Sequence, residues 1–144
     1  MSTNVRHIRC TPEHLFEVLA DGWLFPVWVV GASRMRDVNE AWPHVGSQLH
    51  HSFGVSPLLI NDTTTVLEWN PPHRMVVQPA GWPLGETRVV IDVKARAEGC
   101  LVRLRELAVR GPGTFVPRGV MDVPMYIRNV ETLKRLGYLP SIRR

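Results

Sequence analysis

The chain has 144 residues, 44% of them hydrophobic, which suits one globular domain that buries roughly 70% of its unfolded surface. The longest uncharged apolar stretch, residues 23–32, falls far short of the roughly 20 residues that span a bilayer, so an integral membrane segment is excluded. The first ten residues carry basic side chains with no apolar run behind them, which gives no export signal. We therefore predict a single cytoplasmic domain over residues 1–144.

The net charge of +4 is unevenly distributed along the chain. Residues 1–71 carry 4 basic and 7 acidic side chains, whereas residues 72–144 carry 13 and 6. The arginines are scattered singly, whereas a nucleic-acid surface clusters its charge, so we predict no nucleic-acid partner. Cys10 and Cys100 form no C-x-x-C motif and have no histidine at zinc-finger spacing. We predict reduced thiols, no metal site and no cofactor.

The N-terminal part of the chain predicts a strand followed by two helices. Residues 4–10 can form the strand, and Thr11-Pro12 has the features of a helix start. A threonine side chain can accept hydrogen bonds from the first free amides, and proline suits the first helical position. Gly22 ends this helix because glycine tolerates the backbone conformation found there. A second, shorter helix is predicted over residues 24–29.

After this helix, apolar and polar residues alternate with the two-residue period of β-strands. Segments bounded by Gly, Pro or Asn are predicted as strands over residues 34–40, 46–55, 63–70, 74–78, 86–96 and 101–110. The clearest of them alternates Val89, Ile91 and Val93 with charged residues. This alternation is typical of an antiparallel sheet with one face in water.

The last predicted element is an amphipathic helix over residues 118–136, after a Gly-Pro-Gly break. At about 100° per residue, one apolar arc is predicted to face inward, formed by Val123, Tyr126, Ile127, Val130 and Leu133. Helices at both ends of an uninterrupted antiparallel run cannot act as parallel crossovers, so the predicted class is α+β. A long sheet coils, and only this helix can fill its concave side.

Several short motifs occur in a characteristic order along nearly the whole chain. They are Pro12-Glu13-x-Leu15-Phe16-x-Val18-Leu19-x-Asp21-Gly22, Trp28-x-x-Gly31, Trp42-Pro43-x-x-Gly46-Ser47, Glu68-x-x-Pro71-Pro72, Glu106 before Gly111-Pro112, and Arg128-Asn129-x-Glu131-x-Leu133. This order resembles the Bet v 1-like, START-related helix-grip superfamily, also called SRPBCC, and its bacterial polyketide cyclase/dehydrase-like branch. The resemblance implies a seven-stranded curved antiparallel sheet wrapped around the C-terminal helix, with two short helices after the first strand.

The resemblance also implies a cavity between the sheet and the C-terminal helix. Such cavities take up hydrophobic small molecules, for instance lipids, sterol-like compounds or polyketides. Family members include aromatase/cyclases and lipid carriers, so the resemblance leaves enzyme activity open. In this fold the first and last strands pair antiparallel, which makes Cys10 and Cys100 neighbours near disulfide range.

Two side chains are candidates for acid/base chemistry in such a cavity. The alternation of Val102, Leu104 and Glu106 places this glutamate on the apolar face of its strand. It either bonds backbone amides or an arginine near the rim of the sheet, or it transfers protons in the cavity. His51 shares the apolar phase of its strand with Phe53. It is either a structural histidine or the second acid/base candidate.

The predicted ligand-binding side chains line the cavity or its mouth. They are Trp28, Trp42, His51, Phe53, Leu104, Glu106, Val123, Tyr126, Ile127 and Val130. Ordinary core packing is the alternative for the aromatic residues among them. The leading prediction is a hydrophobic-ligand binding protein, and the alternatives are a polyketide cyclase/dehydratase and a protein-interaction module without a ligand. We expect a monomer or a weak homodimer.

Overall fold

The computed structural model describes residues 2–30, 32–55, 58–80, 85–115 and 118–142, without the side chains of residues 33, 34, 53–55, 58, 59, 113, 118–122, 141 and 142. Within these ranges the strands are β1 Ser2–Ile8, β2 Ala32–Val38, β3 Gln48–Val55, β4 Leu58–Asn70, β5 Arg74–Pro79, β6 Thr87–Arg96 and β7 Gly99–Ala108. The α-helices are α1 Pro12–Ala20, α2 Phe25–Trp28 and α3 Arg118–Ile142, and the 3₁₀ turns are Gly22–Leu24 and Pro112–Phe115.

The strands form one antiparallel sheet in the order β1-β7-β6-β5-β4-β3-β2. From β2 to β7, each strand pairs with the next strand in sequence. β1 pairs with β7 instead, with Ser2 opposite Glu106 and Ile8 opposite Cys100. The two cysteine thiols contact each other just beyond this pairing, as predicted. The predicted α+β class and the sheet around a C-terminal helix are confirmed.

The start of α1 follows from the capping residue that the sequence predicts. The Oγ1 atom of Thr11 accepts a hydrogen bond from the His14 amide at 3.1 Å, and Pro12 occupies the first turn. The side chain of Asp21 then accepts a bond from the Trp23 amide at 3.2 Å and begins the 3₁₀ turn that leads into α2. The second predicted helix, over residues 24–29, corresponds to α2, and this turn precedes it.

The core lies between one face of the sheet and the helices. Leu15, Phe16, Val18 and Leu19 of α1 and Leu133, Leu136 and Leu139 of α3 pack on the sheet residues Leu49, Val66, Met75, Val77, Ile91, Val93, Val102 and Leu104. The rings of Phe16 and Trp69 lie 5.3 Å apart within this contact. In the described part of the chain, every helix falls short of the length or the apolar character needed to span a membrane.

The rotation of α3 about its axis differs from the prediction. Its buried residues are Met125, Asn129, Thr132, Leu133, Leu136, Leu139 and Pro140, whereas Val123, Tyr126, Ile127 and Val130 are between 44% and 65% exposed. Only Leu133 of the predicted inward arc is buried. At about 100° per residue, the buried arc lies roughly 115° from the predicted one. The helix also continues past Leu136, because Gly137 faces Arg6 and Ile8 of β1 and Leu139 packs in the core.

The helices close the gap between the two edges of the sheet. Among the strands, α3 lies closest to β1 and β7, and the short helix α2 contacts both α3 and the opposite edge strand β2. The route from β1 through α3 and α2 to β2 therefore completes a ring around the core.

We predict that Gly99→Ala destabilises the protein far more than Gly46→Ala. Both glycines have positive φ, +148° and +87°, but an added Cβ at Gly99 would clash with the Ile8 carbonyl oxygen, whereas Gly46 has open space. Urea unfolding should show a loss of about 3 kcal/mol or more for Gly99→Ala and about 1 kcal/mol for Gly46→Ala. Equal losses would contradict the close approach of β1 and β7.

Candidate functional site

A buried polar group joins β7 to α3. The Glu106 cluster consists of Glu106, Arg128, Asn129 and Thr87. The glutamate is 3% exposed. Its Oε1 atom accepts hydrogen bonds from the guanidinium of Arg128 and, at 3.1 Å, from the amide of Asn129, while its Oε2 atom accepts one from the Thr87 hydroxyl at 3.2 Å. Three donors from a helix and a neighbouring strand therefore hold one carboxylate.

The contacts of Glu106 agree with the alternative in which its carboxylate has a structural role and bonds an arginine near the rim of the sheet. A buried carboxylate is costly without partners, and here a guanidinium and two neutral donors meet it. Arg128 enters from the surface, where its side chain is 42% exposed. A carboxylate with both oxygens engaged fixes α3 on the sheet. It can transfer protons to a ligand only if one of these bonds is released.

A second buried group, the His51 cluster, consists of His51, Thr64, Phe25 and Trp28. His51 is fully buried, and its Nε2 atom lies 2.7 Å from the Thr64 hydroxyl oxygen. The Phe25 ring lies 5.0 Å from the imidazole and 5.5 Å from the Trp28 ring. Two residues that the sequence predicts for the cavity, His51 and Trp28, are thus brought together by an aromatic ring between them.

Burial keeps the imidazole of His51 neutral at physiological pH. The pKa of His51 is lowered to about 4, chiefly by removal from water; the charge of Asp62 opposes this shift, and the charge of Arg36 adds to it. Arg36 also donates a hydrogen bond to the backbone oxygen of Asp62 at 2.9 Å, which fixes this charge beside β3. A neutral imidazole can orient a polar ligand atom, but it is a weak base near pH 7.

The two acid/base candidates lie far apart on the sheet. Glu106 is on β7 and His51 on β3, with β6, β5 and β4 between them. At about 4.8 Å per strand spacing, the two strands are about 19 Å apart along the sheet. The predicted general acid/base groups therefore belong to separate parts of the sheet, each with its own hydrogen-bond partners.

The remaining predicted ligand residues fall into three different environments. Leu104 is buried in the core, and Trp42 is half-buried with its indole N–H donating to the Leu19 carbonyl at 3.3 Å. The side chain of Phe53 lies outside the described part of the structure. The prediction that Val123, Tyr126, Ile127 and Val130 face inward is wrong, because these residues form an exposed apolar surface on α3, the outer stripe.

Sequence reasoning missed several residues that surround the two candidates. Met125 and Asn129 are buried among the described side chains in the N-terminal half of α3, and Phe25 packs on the histidine. Arg128 and Asn129 belong to one of the motifs that carry the family resemblance, and this motif was the sequence signal that could have pointed to them. No sequence signal pointed to Thr64, since its side-chain hydrogen bond with His51 depends on the register of the β3–β4 hairpin, where Thr64 is opposite Leu49.

The described residues also form two open grooves on the outside of the protein. One, of about 490 Å³, lies beside the end of α1 and is lined by Asp21, Trp23 and Trp42 among others. The other, of about 770 Å³, lies on the convex face of the sheet and includes Arg74 and Asp92. Neither is lined by a residue of α3, so neither corresponds to the predicted cavity.

The convex groove contains an ionic network that connects three strands. The carboxylate of Asp92 on β6 accepts hydrogen bonds from Arg74 at 2.6 Å, Arg103 at 3.0 Å and Arg105 at 3.1 Å. Each of these arginines is partly exposed, so each pair contributes modestly to stability. Part of the C-terminal excess of arginine is therefore used to link neighbouring strands.

We predict that the stability of the protein falls between about pH 6.5 and about pH 4 because of His51. In this window the unfolded histidine is protonated and the folded one is not, so the free energy of unfolding falls by about 1.4 kcal/mol per pH unit. Urea unfolding at several pH values should show this slope for the wild type and for His50→Asn. It should be lost in His51→Asn, and an unchanged slope there would contradict the assignment.

Comparison with known proteins identifies the fold. Neither a protein-family model nor a curated protein matches this sequence. Among solved structures, a Rhodobacter sphaeroides protein is similar with a TM-score of 0.73 at 21% identity over 99% of this chain and 93% of its own. Ara h 8.0201 gives 0.72 at 12% identity over 96% of both chains. DynU16, from the dynemicin biosynthetic locus, gives 0.69 at 15% identity over 96% of this chain and 46% of its own. The chain thus has the Bet v 1-like helix-grip fold.

Proposed function

We propose that the protein binds a hydrophobic small molecule, lipid-like, sterol-like or polyketide-like, between the concave face of the sheet and the N-terminal half of α3. Ligand sites of this kind combine apolar walls with a few fixed polar groups. Met125 and Leu104 supply apolar surface on this side of the protein, and Asn129 supplies an amide. In this proposal Glu106 holds α3 in position, and His51 orients a polar atom of the ligand.

The division of the concave side into two halves is the observation that supports this proposal. The half under the C-terminal part of α3 is filled by leucines from both long helices. The half under its N-terminal part carries the buried polar Glu106 cluster instead, and a second buried polar residue, His51, lies on the same concave face of the sheet under α2. Buried polar residues are costly in a core built for packing alone, so their presence favours a role in recognition.

The same geometry favours binding over the cyclase/dehydratase alternative. That reaction would need an acid and a base near the same reacting carbon atoms. Here the two candidates are on strands four positions apart, and the pKa of the buried His51 is lowered to about 4. DynU16 comes from a biosynthetic locus, which is compatible with the enzyme alternative but assigns no reaction to this chain.

We predict that Met125→Trp weakens binding of a dansyl-labelled fatty acid at least tenfold, because the larger ring occupies space on the inner side of α3. Ile127→Trp is the matched control, since it makes the same kind of change on the exposed face of the same helix, where Ile127 is 65% exposed. Fluorescence titration gives the two affinities. Thermal unfolding of both variants checks that they fold.

Mass spectrometry of an organic extract of the purified protein complements this titration. Absence of any co-purified apolar compound, together with no fatty-acid binding by the wild type, would overturn the proposal. Equal binding by the two tryptophan variants would move the site away from α3. Conversion of an extracted compound that is lost in Glu106→Gln would support the enzyme alternative.

The outer stripe supports a second candidate function, association of two copies of the chain. Val123, Tyr126, Ile127 and Val130 form a run of apolar side chains on one exposed helix face, and such a face marks an interaction site. Two copies related by a twofold axis would pack the same stripe of each copy together along antiparallel helices. This candidate does not require a ligand.

We predict that Ile127→Glu shifts any monomer–dimer equilibrium toward monomer by at least tenfold, because it places a charge in the centre of the stripe. Sedimentation analysis over a range of protein concentrations measures the equilibrium. Leu67→Glu is the control, since Leu67 is an exposed apolar residue on β4, away from α3. A wild type that remains monomeric at the highest concentration would exclude this candidate.

A further inference from the structure

The two cysteines of the chain lie at the junction of its N-terminal strand and its last strand. Ile8 is directly opposite Cys100 in the β1–β7 pairing, and the amide of Cys10 donates a hydrogen bond back to the Ile8 carbonyl at 3.0 Å. This bond turns the chain after β1 toward Cys100. Gly99 has no side chain to separate the two segments, so the chains approach closely.

The burial of the two thiols is unequal. Cys10 is partly exposed, whereas Cys100 is fully buried, and both are free. They are in hydrogen-bonding contact with each other. An oxidant can therefore reach one sulfur, and the other is already positioned next to it.

We propose that Cys10 and Cys100 form a redox modification site that closes to an intramolecular disulfide when it meets a low-molecular-weight disulfide such as oxidised glutathione. The site is separate from the proposed ligand site and stands whether or not a ligand binds. Disulfide geometry requires Cα atoms within roughly 7 Å, which neighbouring chain segments in thiol contact can reach. Closure would link residue 10 covalently to residue 100.

The pKa values of the two thiols are shifted in opposite directions, which makes the partly exposed thiol the more reactive one. The hydrogen bond from Cys100 lowers the pKa of Cys10, although burial opposes the shift. The same hydrogen bond, burial and the nearby charges raise the pKa of Cys100. Because the thiolate is the attacking species, Cys10 acts first and Cys100 follows.

The reaction has two exchange steps. The Cys10 thiolate attacks one sulfur of oxidised glutathione, forms a mixed disulfide and releases one glutathione thiolate. Cys100 then loses its proton to this base or to water and attacks the Cys10 sulfur, which expels the second glutathione. The two protein thiols are oxidised by two electrons in total, and one molecule of oxidised glutathione becomes two of reduced glutathione.

The test treats the full chain with oxidised glutathione and counts thiols after denaturation. We expect the number of free thiols per chain to fall from two to none and the intact mass to drop by the mass of two hydrogen atoms. The protein should run as a monomer on a non-reducing gel. The melting temperature should rise by on the order of 10 °C, because the bond constrains a long segment of the unfolded chain, and dithiothreitol should reverse the rise.

Cys10→Ser is the main variant, because its position is partly exposed and tolerates a hydroxyl. We expect it to keep its single buried thiol reduced and to show no rise in melting temperature. Cys100→Ser should stop at the glutathione adduct on Cys10, and if it does not fold, the wild type and Cys10→Ser carry the test. A stable adduct on wild-type Cys10 with Cys100 still free, or a disulfide between two chains, would overturn the proposal.

Discussion

The need to satisfy one buried carboxylate determines how the C-terminal helix is oriented on the sheet. Glu106 lies on the concave face because its strand alternates, and a carboxylate in that position must find donors. α3 supplies them by turning Arg128 and Asn129 toward β7. Since residues on opposite faces of a helix cannot both point inward, this rotation turns Val123 and Ile127 outward. The polar side of the site and the outer stripe are thus two results of one interaction.

Local signals in the sequence predicted most of the secondary structure. The capping role of Thr11 and the alternation in β6 depend on neighbouring residues, so both are readable from a few positions. The ends of elements were less reliable. Continued pairing with β3 extends β4 back to Leu58, and packing on β1 extends α3 forward to Ile142. Where tertiary contacts replace water, a terminator such as Gly137 does not stop a helix.

The candidate site was predicted only in part, because its contacts join residues distant in sequence. The burial of Glu106 and of His51 followed from the phase of their strands. The partners of these residues did not, since Asn129 comes from a helix whose predicted inward arc lies roughly 115° from the buried one. An apolar arc predicts the buried face only when burial is decided by hydrophobicity alone. Here the buried arc combines hydrogen bonding to a charged group with the leucines in the C-terminal half of α3.

The pairing of β1 with β7 has a consequence for how the chain folds during synthesis. β1 leaves the ribosome about a hundred residues before its partner β7, and α3 follows β7. Until then β1 has no neighbour in the sheet and α1 lacks the leucines of α3. Contacts between such distant segments slow folding and leave apolar surface exposed while the chain waits. The nascent protein should therefore expose this apolar surface until α3 has left the ribosome.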